Sequence, residues 1–407
     1  VVSGVGPFTP LQGIRVLDLT RFVAGPYVTS VLAAMGADVV KLELPPSGDP
    51  YRHQGTAFVG EEAELFLCLN SGKRSLAIDF RSPEVAEVVR RLVEVSDVVI
   101  QNARPGSLDA YGLGAEQVAV TNPRAIYASI SGYGEVGPQA GRGGFDLILQ
   151  AEGGVMGLTG SETGAPVAIG APLLDIGAGL ACLSSILAAL IERERTGRGV
   201  RVSSSLLEQS LAGMTTLVAN HLVSGAVPEA AGSHSPTFAP YGAFRAKDGY
   251  LVLAGSGSEH LWVLLCDVVG RPELVDDERF ADNSARVAHR AELIDELERA
   301  LAGRGAAEWV AALEAVGVPA GQVARLDQLL ASEQVAALDV IHQIEHPRIG
   351  AYPVTATPLR IDGEALAPTQ PAPDLGAHSR DVLASLGFSV DDVTSLIDAG
   401  LVLDGQP

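Results

Sequence analysis

Asp175 is an acid in a position that chemistry could use. It stands immediately ahead of an apolar stretch carrying Leu180, Leu183, Ile186, Leu187 and Leu190 at helical spacing. Its carboxylate therefore belongs at the positive end of a helix dipole. On position alone, such an aspartate reads more readily as an N-cap than as a reactive group. A second acid, Asp146, lies 29 residues upstream, after Gly143-Gly144, where turn preferences account for it equally well. Arg81 precedes Ser82-Pro83-Glu84, a helix start with Ser as N-cap and Pro at N1, and a cation at such an entry suits a phosphate. The eight histidines are scattered, and Cys68, Cys182 and Cys266 form no CxxC pair. Neither a metal site nor a disulfide framework is expected, and the cysteines fit a reducing compartment. No GxGxxG follows the first strand, and the sequence has no GxxxxGKS/T, GxSxG or HExxH. The common dinucleotide, phosphate-loop, serine-hydrolase and zinc-protease readings fall away.

Positioning these groups takes a framework, and the first half of the chain alternates strand and helix patterns. Ile14–Thr20 predicts a strand, followed past Ala24-Gly25-Pro26 by a helix over Tyr27–Met35 that Gly36 ends as a C′ residue. Further strands are predicted over Ala37–Leu44, Asp97–Gln101 and Ala125–Ile130, with a helix from Ser82 to about Val95. Strand–helix–strand units with short connections imply an α/β fold whose parallel sheet is covered on both faces. Small residues without a period fill Ser224–Pro236. A hairpin over Ala243–Leu253, turning at Lys247-Asp248-Gly249, and helices near Glu259–Val269, Ala291–Ala302 and Ala306–Ala315 then predict a smaller α+β domain. A closing helix starts at Ser389 with Asp392 near N3.

Composition narrows the ligand. The 407 residues are 47% hydrophobic and 19% charged, enough for a large core. With 49 acidic against 28 basic side chains the formal charge is −21. Such a field repels polyphosphate, so nucleic-acid binding is not expected and an anionic ligand needs a local group of donors. The opening VVSGVGPFTP has no basic region leading into an apolar one, and the nearly uncharged run Ile176–Ile191 is too short to span a bilayer. A cytoplasmic protein without a membrane anchor is the expectation.

A series of segments carries a closer resemblance. They run Leu17-Asp18-Leu19-Thr20, Ala24-Gly25-Pro26, Gly36-Ala37-Asp38-Val39-Val40-Lys41-Leu42-Glu43 and Asn70-Ser71-Gly72-Lys73-Arg74-Ser75. Gln101-Asn102-Ala103-Arg104-Pro105-Gly106, Gly143-Gly144-Phe145-Asp146 and Pro172-Leu173-Leu174-Asp175-Ile176-Gly177-Ala178-Gly179 come next. Thr196-Gly197-Arg198-Gly199 and Ala239-Pro240-Tyr241-Gly242 complete the set. In this order and spacing, over almost the whole chain, they resemble the family III CoA-transferases, the group of formyl-CoA transferase and carnitine CoA-transferase.

The resemblance implies a Rossmann-like large domain with a parallel sheet, a smaller α+β domain and an interlocked homodimer. The matching layout is an N-terminal part of the large domain over residues 1–223, the small domain with its linkers over 224–330, and a C-terminal part, 331–407, returning to the large domain. It implies that Asp175 is the nucleophile, forming an aspartyl-CoA thioester while CoA passes from an acyl-CoA donor to a carboxylic acid, with no tightly bound cofactor and no metal. Helix N-terminal amides would stabilise the oxyanions. CoA-lining positions carried over are Val23, Ala24, Leu44, Ile78, Arg81, Asn102, Ala103 and Arg104, with Asp146 orienting the thiol end. Leu44 falls where formyl-CoA transferase has an arginine against the adenine. Lys73 and Arg74 either add charge to this site or form a solvated turn. The alternative is a 2-methylacyl-CoA racemase, whose relatives carry histidine at the place of Phe145. Phenylalanine moves no protons.

Overall fold

The computed structural model describes residues 9–160, 164–255 and 258–405. The opening residues 1–8, on which the leader reading rests, lie outside them. By internal packing the chain divides into two compact units, one of residues up to Gly154, Ile169–Ala219 and from Ala337 onward, the other of Val155–Ala168 and Asn220–Ala336. The segment Val155–Ala168, assigned from sequence to the N-terminal part, thus goes with the smaller unit.

The larger unit is built on a seven-stranded sheet. Its strands are β1 (Arg15–Asp18), β2 (Asp38–Glu43), β3 (Arg74–Ile78), β4 (Val98–Gln101), β5 (Ile126–Ser131), β6 (Arg201–Ser205) and β7 (Val402–Leu403). They lie in the order β7-β3-β2-β1-β4-β5-β6, all parallel except the antiparallel edge β7. Central strands buried on both faces read as continuous apolar runs, as Val98-Val99-Ile100 does with no exposure at all. The helices that matter here are α1 (Ala24–Ala34), α2 (Ala86–Val95), α3 (Asp146–Glu152), α4 (Leu173–Thr196) and α5 (Leu206–Gly213).

Local chemistry sets the boundaries. The N–H of Gly36 bonds Ala33 O and that of Ala37 bonds Leu32 O at the end of α1, with Gly36 at φ +94°. This is a Schellman closure, which a side chain at Gly36 would strain. Ser82 accepts from the Glu84 N–H and opens a single 3₁₀ turn that leads into α2. Val88, Val89, Leu92 and Val93 of α2 form its buried face, at the i, i+3, i+4 spacing of one helical stripe. Ser389 and Asp392 make the reciprocal capping box of the last helix.

Two expectations need correcting. Helix α1 begins at Ala24 instead of Tyr27, so Gly25 and Pro26 sit in its first turn, where a missing proline N–H costs nothing. Gly25 is required there, because a Cβ would stand 2.3 Å from the Thr20 Cβ. Helix α4 runs 24 residues, longer than the uncharged run suggested, and by length and composition it is long enough to cross a membrane. It packs instead against α1, β5, β6 and α5, and its Arg193 is buried in an ion pair with Asp97 at 2.8 Å.

The smaller unit has the expected hairpin, Tyr241–Arg245 against Tyr250–Ala254, extended by Ala320–Gln322. Helices Glu259–Val268, Arg290–Leu301 and Ala306–Glu314 cover it around Phe244, Trp262, Leu297 and Trp309.

Candidate active site

In a sheet of order 3-2-1-4-5-6 the connections leave β1 and β4 in opposite directions, opening a crevice at their carboxyl ends. The loops after these two strands line a cleft here: Arg21, Phe22, Val23 and Ala24 after β1, and Asn102, Ala103, Arg104 and Pro105 after β4. Gly143, Gly144, Phe145 and Asp175 complete its wall.

Asp175 is the third residue of α4, inside the first turn and not ahead of it. Its half-buried carboxylate accepts no hydrogen bond from any described residue. Burial, and then the negative charge of Asp146, push it up to about 7. Asp146 is what caps α4: its Oδ2 accepts from the N–H of Leu174 at 2.8 Å and of Asp175 at 3.1 Å. Its Oδ1 accepts from the Gln150 amide. Asp146 is thus turned to protein donors and is not among the residues that line the cleft. The same bonds withdraw the α4 amides from oxyanion binding. The leading amides of α4 are taken by Asp146, by Ala171 O for Leu173 and by Pro172 O for Ile176. The N–H of Ala24, at the start of α1 and on the cleft wall, meets no acceptor among the described residues.

Charged residues buried behind the cleft hold the β1 loop. Lys73 pairs with Asp18 at 3.1 Å and Lys41 with Asp49 at 2.9 Å, all four buried. Lys41 Nζ also donates to Thr20 O at 2.8 Å. Burial would raise Asp18, yet the two lysines and the Thr20 and Thr29 hydroxyls bring it down to about 2. Burial lowers Lys73 to about 8 despite its partner. Lys73 is therefore neither a CoA contact nor a solvated turn, and Arg74 is tied to Asp38 at 2.6 Å. The anchored loop carries Phe22 at φ +67°, a conformation a bulky residue adopts only where its surroundings impose it. Its ring meets Tyr51 edge-on at 5.5 Å and Phe145 at 5.8 Å. Sequence reasoning missed this aromatic wall, since nothing in Arg21-Phe22 or Tyr51 signals it locally.

Beyond the cleft lies a slot lined by Leu44, Phe80, Leu108 and Tyr111 and by the buried, paired Lys41, Glu43 and Asp49, with Arg21 and Ala103 shared by both cavities. Leu44 and Arg81 are on this slot. Ile78 is not: it has no exposure, packs in the core and pairs with Val402, so its side chain lines nothing. Arg81 is exposed and held by Asp79 through two bonds of 2.7 and 2.8 Å. In the smaller unit, His234 packs on Phe244 at 5.2 Å, an ordinary loop histidine. The nearby Gly255-Ser256-Gly257 turn falls partly outside the described residues, at 256 and 257.

The sequence matches CoA-transferase family III over residues 11–379. Succinyl-CoA:glutarate CoA-transferase of Mus musculus is 35% identical over 394 residues, spanning 97% of this chain and 90% of the mouse protein. Succinate–glutarate CoA-transferase of Agrobacterium fabrum is 38% identical over 383 residues, 93% of this chain and 96% of the bacterial one. A CAIB/BAIF family protein from Brucella suis has the same fold, with a TM-score of 0.83 and 39% identity over 93% of this chain and 99% of that one. Agreement of this extent, in sequence and in the parallel sheet alike, makes the chain a transferase that belongs to family III of the CoA-transferases.

Proposed function

We propose that this enzyme moves CoA between small dicarboxylic acids, with succinyl-CoA as donor and a glutarate-like acid as acceptor, through a thioester on Asp175. The observation that carries the mechanism is the Asp175 carboxylate: half-buried, accepting no hydrogen bond from the described residues and shifted to about 7, on the wall of the cleft at the switch point. A carboxylate without donors is a better nucleophile than a capping one, and near neutral pH about half of it is ionised. The acceptor class rests on the mouse and Agrobacterium relatives, both named for succinate or its CoA ester together with glutarate.

Asp175 attacks the thioester carbonyl, the C–S bond breaks, and an aspartyl–acyl anhydride and CoA thiolate result. The thiolate attacks the aspartyl carbonyl, releasing the donor acid and leaving aspartyl-CoA. The acceptor carboxylate then runs the two steps in reverse. Every exchange swaps one carboxylate for another, so each is close to isoenergetic and no nucleotide triphosphate is consumed. The unspent Ala24 N–H supplies a donor for the oxyanions, an interaction worth about 2.7–4 kcal/mol at comparable sites.

The racemase reading fares worse. Phe145 lines the same cleft as Asp175 and offers no second base. We infer also that the enzyme works as the interlocked homodimer of its family, which sedimentation at catalytic concentration tests. The deciding experiment for the chemistry is hydroxylamine trapping during turnover with succinyl-CoA. Mass spectrometry should find the hydroxamate on the peptide containing Asp175, and turnover without any such adduct overturns the covalent carrier.

A further inference from the structure

We propose that Arg21, at the neck between the cleft and the slot, is the diphosphate clamp for the CoA ester, acting with Arg104 on the cleft side. This rests on the CoA reading of the cleft and adds a residue that the sequence did not single out.

Position comes first. Arg21 and Ala103 are the residues common to the cavity that holds Asp175 and the slot lined by Leu44, Phe80 and Tyr111. A ligand with a reactive thioester at one end and a flat base at the other must pass this neck, and the diphosphate lies between those ends. Charge comes second. Arg81 and Arg142 also lie along these cavities, but each is held by a carboxylate, Asp79 and Glu152 respectively. The guanidinium groups of Arg21 and Arg104 bond no carboxylate or carbonyl among the described residues. Arg21 lies over the Phe22 ring, 5.8 Å from its centroid. Arg104 stands over Gly143, with its Nε 3.5 Å from where a Cβ would be, an ordinary contact distance. In a chain of charge −21, two unspent guanidiniums on one cleft, Arg21 at its neck and Arg104 on its wall, form the local donor group that an anion requires.

Anchoring comes third. The Asn102 side chain grips the Arg21 backbone from both sides, accepting from its N–H at 2.9 Å and donating to its carbonyl at 2.6 Å. This ties the loops after β1 and β4 to each other and fixes where the Arg21 side chain starts. Its planar fork suits two phosphate oxygens better than a lysine's point charge.

The test compares CoA, dephospho-CoA and pantetheine as ligands, by calorimetry, on wild-type enzyme, Arg21→Ala and Arg21→Lys, alongside KM for the acceptor acid. Arg21→Ala should weaken CoA and dephospho-CoA alike, each about tenfold or more, and leave pantetheine unchanged. Arg21→Lys should recover part of the loss. An equal loss for pantetheine means that Arg21 acts only by supporting the Phe22 loop, and overturns the clamp. A loss for CoA but not dephospho-CoA moves the contact to the 3′-phosphate, and a rise in acceptor KM alone moves it to the acid. Either result also overturns it. Unchanged CoA affinity in Arg21→Ala sinks the clamp alone, whereas wild-type enzyme that binds no CoA removes the reading of the cleft beneath it.

Discussion

Asp146 caps the helix that carries Asp175, and one carboxylate oxygen does it, taking the N–H groups of Leu174 and of Asp175 itself. The same contact brings a negative charge close to the Asp175 side chain and helps push its pKa up to about 7, after burial. One residue thus fixes the position of its neighbour and tunes its charge.

Activity should follow the ionisation of Asp175. Its carboxylate is the reactive form, so kcat/KM should rise with pH along an acid limb near 7. Asp146→Asn keeps an oxygen for the cap but removes the charge, and should move that limb to lower pH. Asp146→Ala should in addition lose about 1 kcal/mol of helix cap in thermal unfolding. A limb that stays in place in Asp146→Asn would show that the neighbouring charge does not tune the nucleophile.

Asp175→Asn should lower turnover by about a thousandfold or more while CoA affinity stays within a few-fold. Its effect on stability should depend on pH. A carboxylate whose folded pKa lies above its unfolded value of 3.8 costs the folded state nothing in acid. The penalty grows as pH rises from about 4 and is complete above about 7. The variant should therefore gain roughly 1–2 kcal/mol at pH 8, discounted for solvent screening, and almost nothing at pH 4, as read by denaturant titration.

Lys73→Ala would strand Asp18 as a buried charge with one cation fewer. Losing one partner of such a pair costs about 3–5 kcal/mol, and urea unfolding should show it. Lys73→Met should be no milder, because the charge left behind is what costs. A loss under about 1 kcal/mol would mean that Lys41 and the two threonine hydroxyls suffice for Asp18.

Arg81→Ala should raise KM for acyl-CoA by less than about threefold, because Asp79 already holds the guanidinium and the pair is exposed. An increase matching that of Arg21→Ala would show that Asp79 releases Arg81 when the ligand arrives.

In D2O, a 2-methylacyl-CoA incubated with the enzyme should keep its C2 hydrogen, since Phe145, on the same cleft as Asp175, offers no second base. Deuterium incorporation seen by mass spectrometry would reopen the racemase reading.

Local sequence determined the features that depend on a few adjacent residues. The strand and helix alternation, the Gly36 closure, the Ser82 cap and the Ser389–Asp392 box all follow from rules acting within one turn or strand. The ordered motifs also marked Asp175 and the loops of the cleft. Tertiary structure decided what depends on partners far along the chain. Lys73 looked like a turn residue until Asp18, 55 positions away, buried it. Ile78 looked like a lining residue until Val402 closed over the edge of its strand. Asp146 could have capped its own turn, but the fold brings it to another helix, 28 residues on. Arg21 gained its significance only because β1 and β4 lie side by side with their loops diverging. Periodicity and capping are written in neighbours, whereas burial and unspent charge are set by whichever distant segment packs against a side chain.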